Sequence, residues 1–520
     1  AACWWSTPSS EADQGGCGGA STRPYRGMTS LRDAAACRLR SANGTFAFLV
    51  FLMVAPAVAA QSFEERHGPA VDALVSRALT ETGAPSASIA VVENGRIVFA
   101  RAYGVRSLAT AEPATDEHRY HIGSASKTFT AALAAMLADE GRLSLDAPVG
   151  RLVPETTAAE LITLRQALSH TAGYQGYFTM DATPAEGRRA ITPADILARW
   201  AAAQLDTPPG TAWAYSNTGY TVAGVMIERA TGSALNDLLQ SRIFRPLGMT
   251  SAADVDQRGP GTGDAVGYTR FLLGPPRPAR AIGPGWTFAT GGLVMTASDL
   301  ARFDVALMDG PLLSASARAT MTADTRLNDG EASGYGLGLY VGEFSGKRRW
   351  THDGSIDGFG AENRLYPDSR AAVIVLVNAD FGRTPYVIAD GVEALLLDPP
   401  AEVPPAPRPA PTAPPPEALP GGEAERDRAI ALLNQLRAGR LDRSNLTDDV
   451  LDYFSDQVLA DYRDSLAALG PTTAFIQRRR DKIGGLDASL YEVTVGGRLL
   501  IAILRLTPGG EVASFVVFPA

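Results

Sequence analysis

The 520-residue chain has only three cysteines, and all of them lie near its beginning, at Cys3, Cys17 and Cys37. The rest of the sequence therefore offers neither a disulfide framework nor a thiol nucleophile. A fold without cross-links depends on the size of its hydrophobic core, and a hydrophobic content of 45% is that of an ordinary globular protein. The length exceeds that of one compact core and favours a two-domain enzyme.

Lysine is also scarce, because only three of the 47 basic residues are lysines and the other 44 are arginines. The three are Lys127, Lys347 and Lys482. Arginine stays charged at all ordinary pH values, whereas a buried lysine can lose its proton. A chain that otherwise uses arginine is therefore expected to keep a lysine where the chemistry needs a neutral amine.

Excess positive charge and clustered metal ligands are missing as well. The formal net charge of -9 argues against nucleic acid or anionic lipid as a partner. The five histidines form no ligand cluster with carboxylates, so we expect no metal and no other cofactor. They are His67, His118, His121, His170 and His352.

The N-terminal region carries the pattern of a secretory signal peptide. Arginines precede the apolar run "FAFLVFLMVAPAVAA", which ends in small residues and is short for a membrane span. We therefore expect a signal peptide at 28–60, with Met28 as the initiator and 1–27 as an upstream extension outside the native protein. The protein is therefore expected to be exported, either periplasmic or secreted, without a stable membrane anchor. An uncleaved anchor is the alternative.

Strand-like segments lie at both ends of residues 61–397, and helical segments lie between them. The early strands flank Asn94 and Gly95, a tight-turn dipeptide typical of a hairpin. The later ones include "YGLGLYVGE" and "RAAVIVLVNAD". This order predicts an α/β (α+β) fold in which an antiparallel sheet is flanked by helices and an all-α subdomain adjoins it, with a cleft between the two parts.

A proline-rich segment at 398–422 predicts an extended linker before a small α+β accessory domain at 423–520. In that domain helical patterns precede three β-like runs, an order loosely similar to the nuclear-transport-factor-2-like (NTF2-like) type. The run Arg478 to Arg480 is interpreted as a solvated helix end.

The stretch "HIGSASKTFTAALAAMLADEG" places Ser124 and Lys127 one helical turn apart. The helix is apolar on all sides, which predicts a buried lysine with a lowered pKa within reach of the Ser124 hydroxyl. A serine that merely caps a helix is the alternative.

Two further motifs supply polar groups that a hydrolase requires. In "AYSNTGY", Tyr215 offers a phenol for proton relay and Asn217 a carboxamide for a substrate carbonyl, although ordinary capping would give the same pattern. In "WTHDGS", His352 is followed by Gly354, which permits close approach of a substrate, and by Ser355, whose N–H is a candidate oxyanion donor. A β-turn with a surface histidine is the alternative.

The ordered motifs "GSASK", "YSN" and "HDG" resemble the three active-site elements of the penicillin-recognising serine hydrolases, in their class C beta-lactamase-like branch. That branch includes beta-lactamases, D-alanyl-D-alanine carboxypeptidases, D-aminopeptidases and esterases. The stretches "LRQALSHTAGY" and "TGGLVMTASDLARF" support the resemblance, which covers roughly residues 65–397. It implies a beta-lactamase/transpeptidase-like fold.

The resemblance implies that Ser124 is the acylated nucleophile, Lys127 its base and Tyr215 the proton shuttle. Asn217 would contact the substrate amide, and the N–H groups of Ser124 and Ser355 would form the oxyanion hole beside Gly354. His352 stands where beta-lactamases of the branch have a lysine, so a permanent positive charge is missing there. It is expected to hydrogen-bond Tyr215 instead.

These observations predict an exported serine hydrolase that cleaves an ester or amide in a small molecule or short peptide, of esterase or D-amino-acid peptidase type. A class C-type beta-lactamase is the alternative within the class. A penicillin- or peptidoglycan-binding sensor that is acylated without turnover is the alternative from another class. The sequence does not fix the oligomeric state.

Overall fold

The computed structural model describes residues 61–177, 186–258, 261, 263–397, 422–483 and 485–520, and Ser62–Ala520 belong to one compact unit. The expected signal peptide, the residues before it and nearly all of the proline-rich segment lie outside the described residues. Within the described part of the chain, no helix has the length and apolar character needed to cross a bilayer.

Two antiparallel sheets account for most of the strands. In chain order the described strands are β1 (Ser86–Glu93), β2 (Arg96–Ser107), β3 (Glu112–Pro113), β4 (Tyr120–His121), β5 (Ala253–Asp254), β6 (Tyr268–Thr269), β7 (Arg277–Pro278), β8 (Leu293–Met295), β9 (Tyr340–Phe344), β10 (Lys347–Ile356), β11 (Phe359–Tyr366), β12 (Ala371–Val377), β13 (Thr472–Ile483), β14 (Leu486–Val495), β15 (Arg498–Leu506) and β16 (Val512–Pro519). The larger sheet has the order β3-β2-β1-β12-β11-β10-β9, and the smaller one β13-β14-β15-β16.

The larger sheet joins the two ends of the 61–397 region, as the sequence predicted. Strand β1 pairs with β12 in an antiparallel register from Ala87↔Val377 to Val92↔Ala372. Asn94 and Gly95 connect β1 and β2 with φ angles of 53° and 72°, the left-handed conformation that a tight hairpin turn requires.

Helices cover both faces of this sheet and form the subdomain beside it. The described α-helices are α1 (Phe63–Thr82), α2 (Ser126–Asp139), α3 (Leu164–Leu168), α4 (Pro193–Ile196), α5 (Asn217–Thr231), α6 (Leu235–Leu239), α7 (Val255–Arg258), α8 (Ala297–Asp309), α9 (Ala315–Met321), α10 (Thr384–Leu396), α11 (Glu423–Arg437), α12 (Asp448–Tyr453) and α13 (Asp456–Leu469). Ile89 and Val375 point to the face that α1 and α10 cover, whereas Ala90 and Ile374 belong to the core on the opposite face. Both faces are buried, which explains the nearly continuous apolar runs of β1 and β12.

The C-terminal region 423–520 has its own hydrophobic core between α11, α12, α13 and the four-stranded sheet. The three expected β-like runs correspond to β14, β15 and β16. The interpretation of Arg478 to Arg480 as a helix end is wrong, because these residues lie in a fourth strand, β13. Charged partners on neighbouring elements make a strand possible there: Arg478 pairs with Glu492 of β14, and Arg480 pairs with Glu425 of α11. The likeness to NTF2-like domains stays a prediction.

Candidate active site

Ser124 lies in a single 3₁₀ turn, Gly123–Ala125, immediately before α2. The short strand β4 leads into this turn and pairs with β8, and Ile122 donates its N–H to Leu293 O at 3.1 Å. No side chain caps α2, so the alternative in which Ser124 is only a capping serine does not apply. The turn instead presents the Ser124 hydroxyl beside the first turn of the helix.

Lys127 is completely buried in the first turn of α2, as predicted. Its Nζ lies 3.2 Å from Ser124 Oγ and donates to the carbonyl oxygen of Thr290 at 2.8 Å. Burial holds the pKa of the Lys127 amine well below its ordinary value, since the ammonium form would lose its hydration. A neutral amine has a free lone pair and can accept the proton of the Ser124 hydroxyl.

Tyr215 lies directly before α5, whose N-cap is Ser216. Its phenol is hydrogen-bonded to the Ser124 side chain, and its ring centroid lies 4.9 Å from Lys127 Nζ. Burial raises the pKa of Tyr215 well above 10, so the phenol keeps its proton at neutral pH. The group can therefore donate a proton or relay one, but it does not rest as a phenolate.

Asn217 is the first residue of α5 and is half-buried. Its Oδ1 is shielded from solvent and has no hydrogen-bond partner in the part of the chain that the structure describes. A buried acceptor without a partner costs free energy, so such an atom suits contact with a ligand. Ser216, not Tyr215 or Asn217, supplies the cap by accepting from Gly219 N–H, so neither flanking side chain is needed as the cap.

His352 is 1% exposed and lies within β10, so the alternative of a surface histidine in a turn is wrong. Its Nδ1 lies 2.6 Å from the carbonyl oxygen of Asp353, which can only accept, and its Nε2 lies 2.9 Å from Tyr335 Oη. The expected hydrogen bond to Tyr215 is therefore replaced by one to Tyr335. Burial lowers the pKa of His352 to about 4, so the ring is neutral at physiological pH.

The end of β10 packs directly on the 3₁₀ turn that holds Ser124. A Cβ on Gly354 would lie 1.9 Å from Ile122 O and 3.3 Å from Ser124 N, and a Cβ on Gly123 would lie 2.9 Å from Ser355 N. Only glycine at both positions permits this approach, and Gly123 also has a φ of 49°. The backbone N–H groups of Ser124 and Ser355 are thereby brought next to each other.

Sequence reasoning did not assign His170 and Tyr335 to the site. His170 Nδ1 accepts from Ser216 N–H at 3.1 Å, and its ring lies 4.2 Å from the Tyr215 ring. Tyr335 donates to His352, and its ring lies 4.9 Å from that of His170. His170 falls in "LRQALSHTAGY", which supports the family resemblance, and Tyr335 falls in the strand-like segment "YGLGLYVGE", but neither stretch indicates what its polar side chain contacts.

Comparisons with known proteins identify the family of the chain. The sequence model of the Beta-lactamase family matches residues 71–397. Penicillin-binding protein 4 of Amycolatopsis lactamdurans is 30% identical in an alignment of 326 residues, which covers 58% of this chain and 82% of that protein. The crystal structure of a D-stereospecific amidohydrolase from Streptomyces sp. is 27% identical, with a TM-score of 0.55, and the match covers 63% of this chain and 99% of the amidohydrolase.

One structural likeness extends further along the chain. The octameric penicillin-binding protein homologue from Pyrococcus abyssi has a TM-score of 0.57 and 22% identity, and the match covers 87% of this chain and 96% of that protein. This share is larger than the whole sequence up to residue 397, so the common fold includes part of the C-terminal region. Since the family match spans more than half of its residues, this chain belongs to the Beta-lactamase family and is a serine hydrolase of the penicillin-recognising superfamily.

Proposed function

We propose that this protein is an exported hydrolase that cleaves an ester or amide through an acyl-enzyme on Ser124. The observation that carries the proposal is the buried amine of Lys127, which lies 3.2 Å from Ser124 Oγ and whose pKa burial holds well below its ordinary value. The apolar, small-residue-terminated segment at 28–60 supports export. The catalytic domain is 61–397, joined through the linker 398–422 to the accessory domain 423–520.

In acylation, Ser124 Oγ attacks the substrate carbonyl carbon while its proton passes to Lys127 Nζ. The electron pair of the carbonyl moves to oxygen, and the N–H groups of Ser124 and Ser355 stabilise the oxyanion. The tetrahedral intermediate then expels the leaving group, which takes the proton that Lys127 received. Thr290 O accepts from the amine throughout and holds it in place.

In deacylation, a water molecule attacks the acyl carbonyl and the bond to Ser124 Oγ breaks. Tyr215 is hydrogen-bonded to the Ser124 side chain and lies beside Lys127, so it can pass the proton of the water between these groups. Because burial raises the pKa of Tyr215, the phenol serves as a relay rather than as a standing base. Asn217 holds the substrate through its carboxamide.

The substrate class follows from His352 and from a relative. A neutral imidazole at this position provides no fixed positive charge for the carboxylate that beta-lactam antibiotics carry, which favours esters and amides. The 27% identical Streptomyces protein is a D-stereospecific amidohydrolase, which supports an amide of a D-amino acid as one substrate.

A second candidate function is supported by the relatives that are named penicillin-binding proteins. In this case Ser124 is acylated by a beta-lactam and the acyl group stays, as in a sensor, or leaves quickly, as in a beta-lactamase. The two outcomes differ in the lifetime of the adduct.

A substrate panel separates these candidates. The full chain is assayed with a short-chain aryl ester, a D-amino acid amide, a D-alanyl dipeptide and a chromogenic cephalosporin, each beside Ser124→Ala. We expect Ser124-dependent turnover of the ester or the D-amino acid substrates to exceed that of the cephalosporin. Preferred turnover of the cephalosporin would establish a beta-lactamase, and a lasting adduct without turnover would establish a sensor.

A further inference from the structure

The C-terminal domain is attached to the catalytic domain through a bidentate ion pair. Asp461 of α13 accepts from Arg277 Nε at 2.6 Å and from Arg277 Nη2 at 2.7 Å. The loop before Arg277 carries Leu272 into the hydrophobic core of the C-terminal domain, and Leu273 N–H donates to Ser465 Oγ at 3.2 Å. Because Asp461 is buried, this bidentate contact differs from an ion pair between two exposed side chains and holds the two domains together.

A second carboxylate of the same domain holds two arginines at once. Asp452 Oδ2, in α12, accepts from Arg188 Nε at 3.0 Å and from Arg280 Nη1 at 3.0 Å. The two arginines belong to segments of the catalytic domain that lie far apart in sequence. One partly exposed carboxylate therefore bridges both segments, 186–191 and 280–286, which we call the rim.

The two segments of the rim are interlocked by backbone contacts. Gly283 N–H donates to Gly187 O at 2.8 Å, and Ile191 N–H donates to Pro284 O at 2.9 Å. A Cβ on Gly285 would lie 1.8 Å from Ile191 O, so the two backbones touch. Movement at Arg188 or Arg280 is therefore transmitted to the whole rim.

Hydrogen bonds connect the rim to the segment beside the candidate catalytic groups. Trp286 Nε1 donates to Arg189 O at 2.8 Å, and Trp286 O accepts from Tyr177 Oη at 3.0 Å. Four residues after Trp286, Thr290 provides the carbonyl oxygen that accepts from Lys127 Nζ. The rim is therefore connected through Trp286 to the segment that carries the acceptor of the Lys127 amine.

A second set of contacts connects the rim to the start of α5. Two residues before Tyr177, the carbonyl oxygen of Gln175 accepts from Ser216 Oγ at 3.3 Å and from Thr218 Oγ1 at 2.6 Å. These hydroxyls flank Asn217 and follow Tyr215. The segment that carries the acceptor of Lys127 and the start of α5 are therefore both connected to the same rim.

We propose that the C-terminal domain contributes to the geometry of the active site through Asp452. Asp452 is a positioning residue that aligns Lys127 and the start of α5 through the rim. The proposal rests on the proposed function, because it assigns a role in acylation of Ser124. Asp452 acts without touching the substrate: it accepts hydrogen bonds from both Arg188 and Arg280 and keeps the two segments in register. Loss of this contact displaces reacting groups, and small displacements of such groups cost large factors in rate.

The test compares Asp452→Asn with the conservative Asp452→Glu in the full chain. We expect Asp452→Asn to lower kcat/KM for an aryl ester about tenfold, mainly through kcat, while Asp452→Glu restores most of the activity. Backbone hydrogen exchange is expected to quicken in 186–191 and 282–291 and to stay unchanged in β1 and β12. Asp464→Asn is the matched control, because Asp464 is exposed on α13 and, within the described part of the chain, forms its ion pair with the adjacent Arg463.

Two results would overturn the proposal. One is unchanged kcat/KM with faster exchange confined to 423–520, which would give Asp452 a purely local role. The other is an effect of Asp464→Asn equal to that of Asp452→Asn. If Asp452→Asn fails to fold, Arg188→Gln and Arg280→Gln, singly and together, test the same contact from the catalytic side.

Failure of the proposed function is recognised separately. In that case the wild-type chain shows no Ser124-dependent hydrolysis, whereas hydrogen exchange still reports whether Asp452 restrains the rim. Slower exchange in the rim of the wild type than in that of Asp452→Asn would then show that Asp452 restrains the rim. Without Ser124-dependent hydrolysis, however, the proposed role of Asp452 in acylation would be overturned.

Discussion

The amine nitrogen of Lys127 and the hydroxyl oxygen of Ser124 lie 3.2 Å apart, and the lysine side chain has no exposed surface. Burial lowers the pKa of the amine, and the proximity places its lone pair next to the Ser124 proton. An exposed lysine at the same distance would stay charged and would not serve as a base. Burial and distance together therefore give this pair its chemistry.

Replacing Lys127 by arginine keeps a long basic side chain but removes the neutral amine. We expect Lys127→Arg to lower the rate of Ser124 acylation by about 10²–10⁴-fold, the usual contribution of a general base. The measurement is hydrolysis of an aryl ester, with thermal unfolding to verify the fold. Lys347→Arg, at an exposed position in β10, is the control and should retain full activity. A folded Lys127→Arg with the wild-type rate would exclude Lys127 as the base.

A methyl group at Gly354 is expected to separate the candidate oxyanion donors. Its Cβ would meet Ile122 O at 1.9 Å, so Gly354→Ala must push β10 away from the turn that holds Ser124. We expect kcat to fall by about 10²-fold or more, the cost of losing one oxyanion donor. Gly342→Ala, in the neighbouring strand β9, has open space around the new methyl group and should keep the wild-type kcat. Equal activity of the two variants would refute this arrangement.

His352→Lys tests whether the neutral imidazole selects against beta-lactams. The change removes the hydrogen bond to Tyr335 and introduces a second amine into a buried site near Lys127. We expect ester hydrolysis to drop at least about tenfold, and the ratio of cephalosporin to ester kcat/KM to rise. Should both activities stay at the wild-type level, His352 would have no part in substrate choice.

Asp304 is expected to make the stability of the protein depend on pH. The side chain is fully buried, accepts from Asn363 Nδ2 at 3.0 Å, and has its pKa raised by burial to about 8. The folded state keeps this proton at neutral pH and the unfolded state releases it above the ordinary aspartate pKa of 3.8, so the stability falls as the pH rises from 3.8 to about 8.

Asp304→Asn removes that dependence because an amide does not titrate. We expect the variant to gain on the order of 2–4 kcal/mol in the free energy of unfolding, relative to the wild type, between pH 5 and pH 8. Denaturant unfolding at the two pH values is the measurement. Asp368→Asn, at an exposed ion pair with Arg348, should show no such gain. A wild-type stability that is the same at both pH values would contradict the buried neutral acid.

The parts of the site that local sequence patterns encode were predicted, and the parts that depend on distant contacts were not. The apolar surroundings of Lys127 predict its burial, because helical periodicity is a local property. Its second partner, Thr290, is 163 residues away, and no local pattern indicates which carbonyl accepts from the amine. The partner of His352 was assigned wrongly for the same reason.

The fold shows the same division. The Asn94-Gly95 hairpin and the pairing of β1 with β12 follow from turn chemistry and from apolar runs at both ends of the region. Strand β13 was missed because three consecutive arginines are not typical of a strand, and Glu492 and Glu425, which pair with two of them, lie on other elements. The contact of Asp452 with two arginines likewise appears only in three dimensions.

The nucleophilic role of Ser124 is tested most directly by intact-mass analysis of the full chain after reaction with a serine-reactive phosphonate probe. The account predicts one adduct per chain in the wild type, located by peptide mapping at Ser124, and none in Ser124→Ala under the same conditions. Equal labelling of Ser124→Ala, or an adduct mapped to another serine, would contradict it.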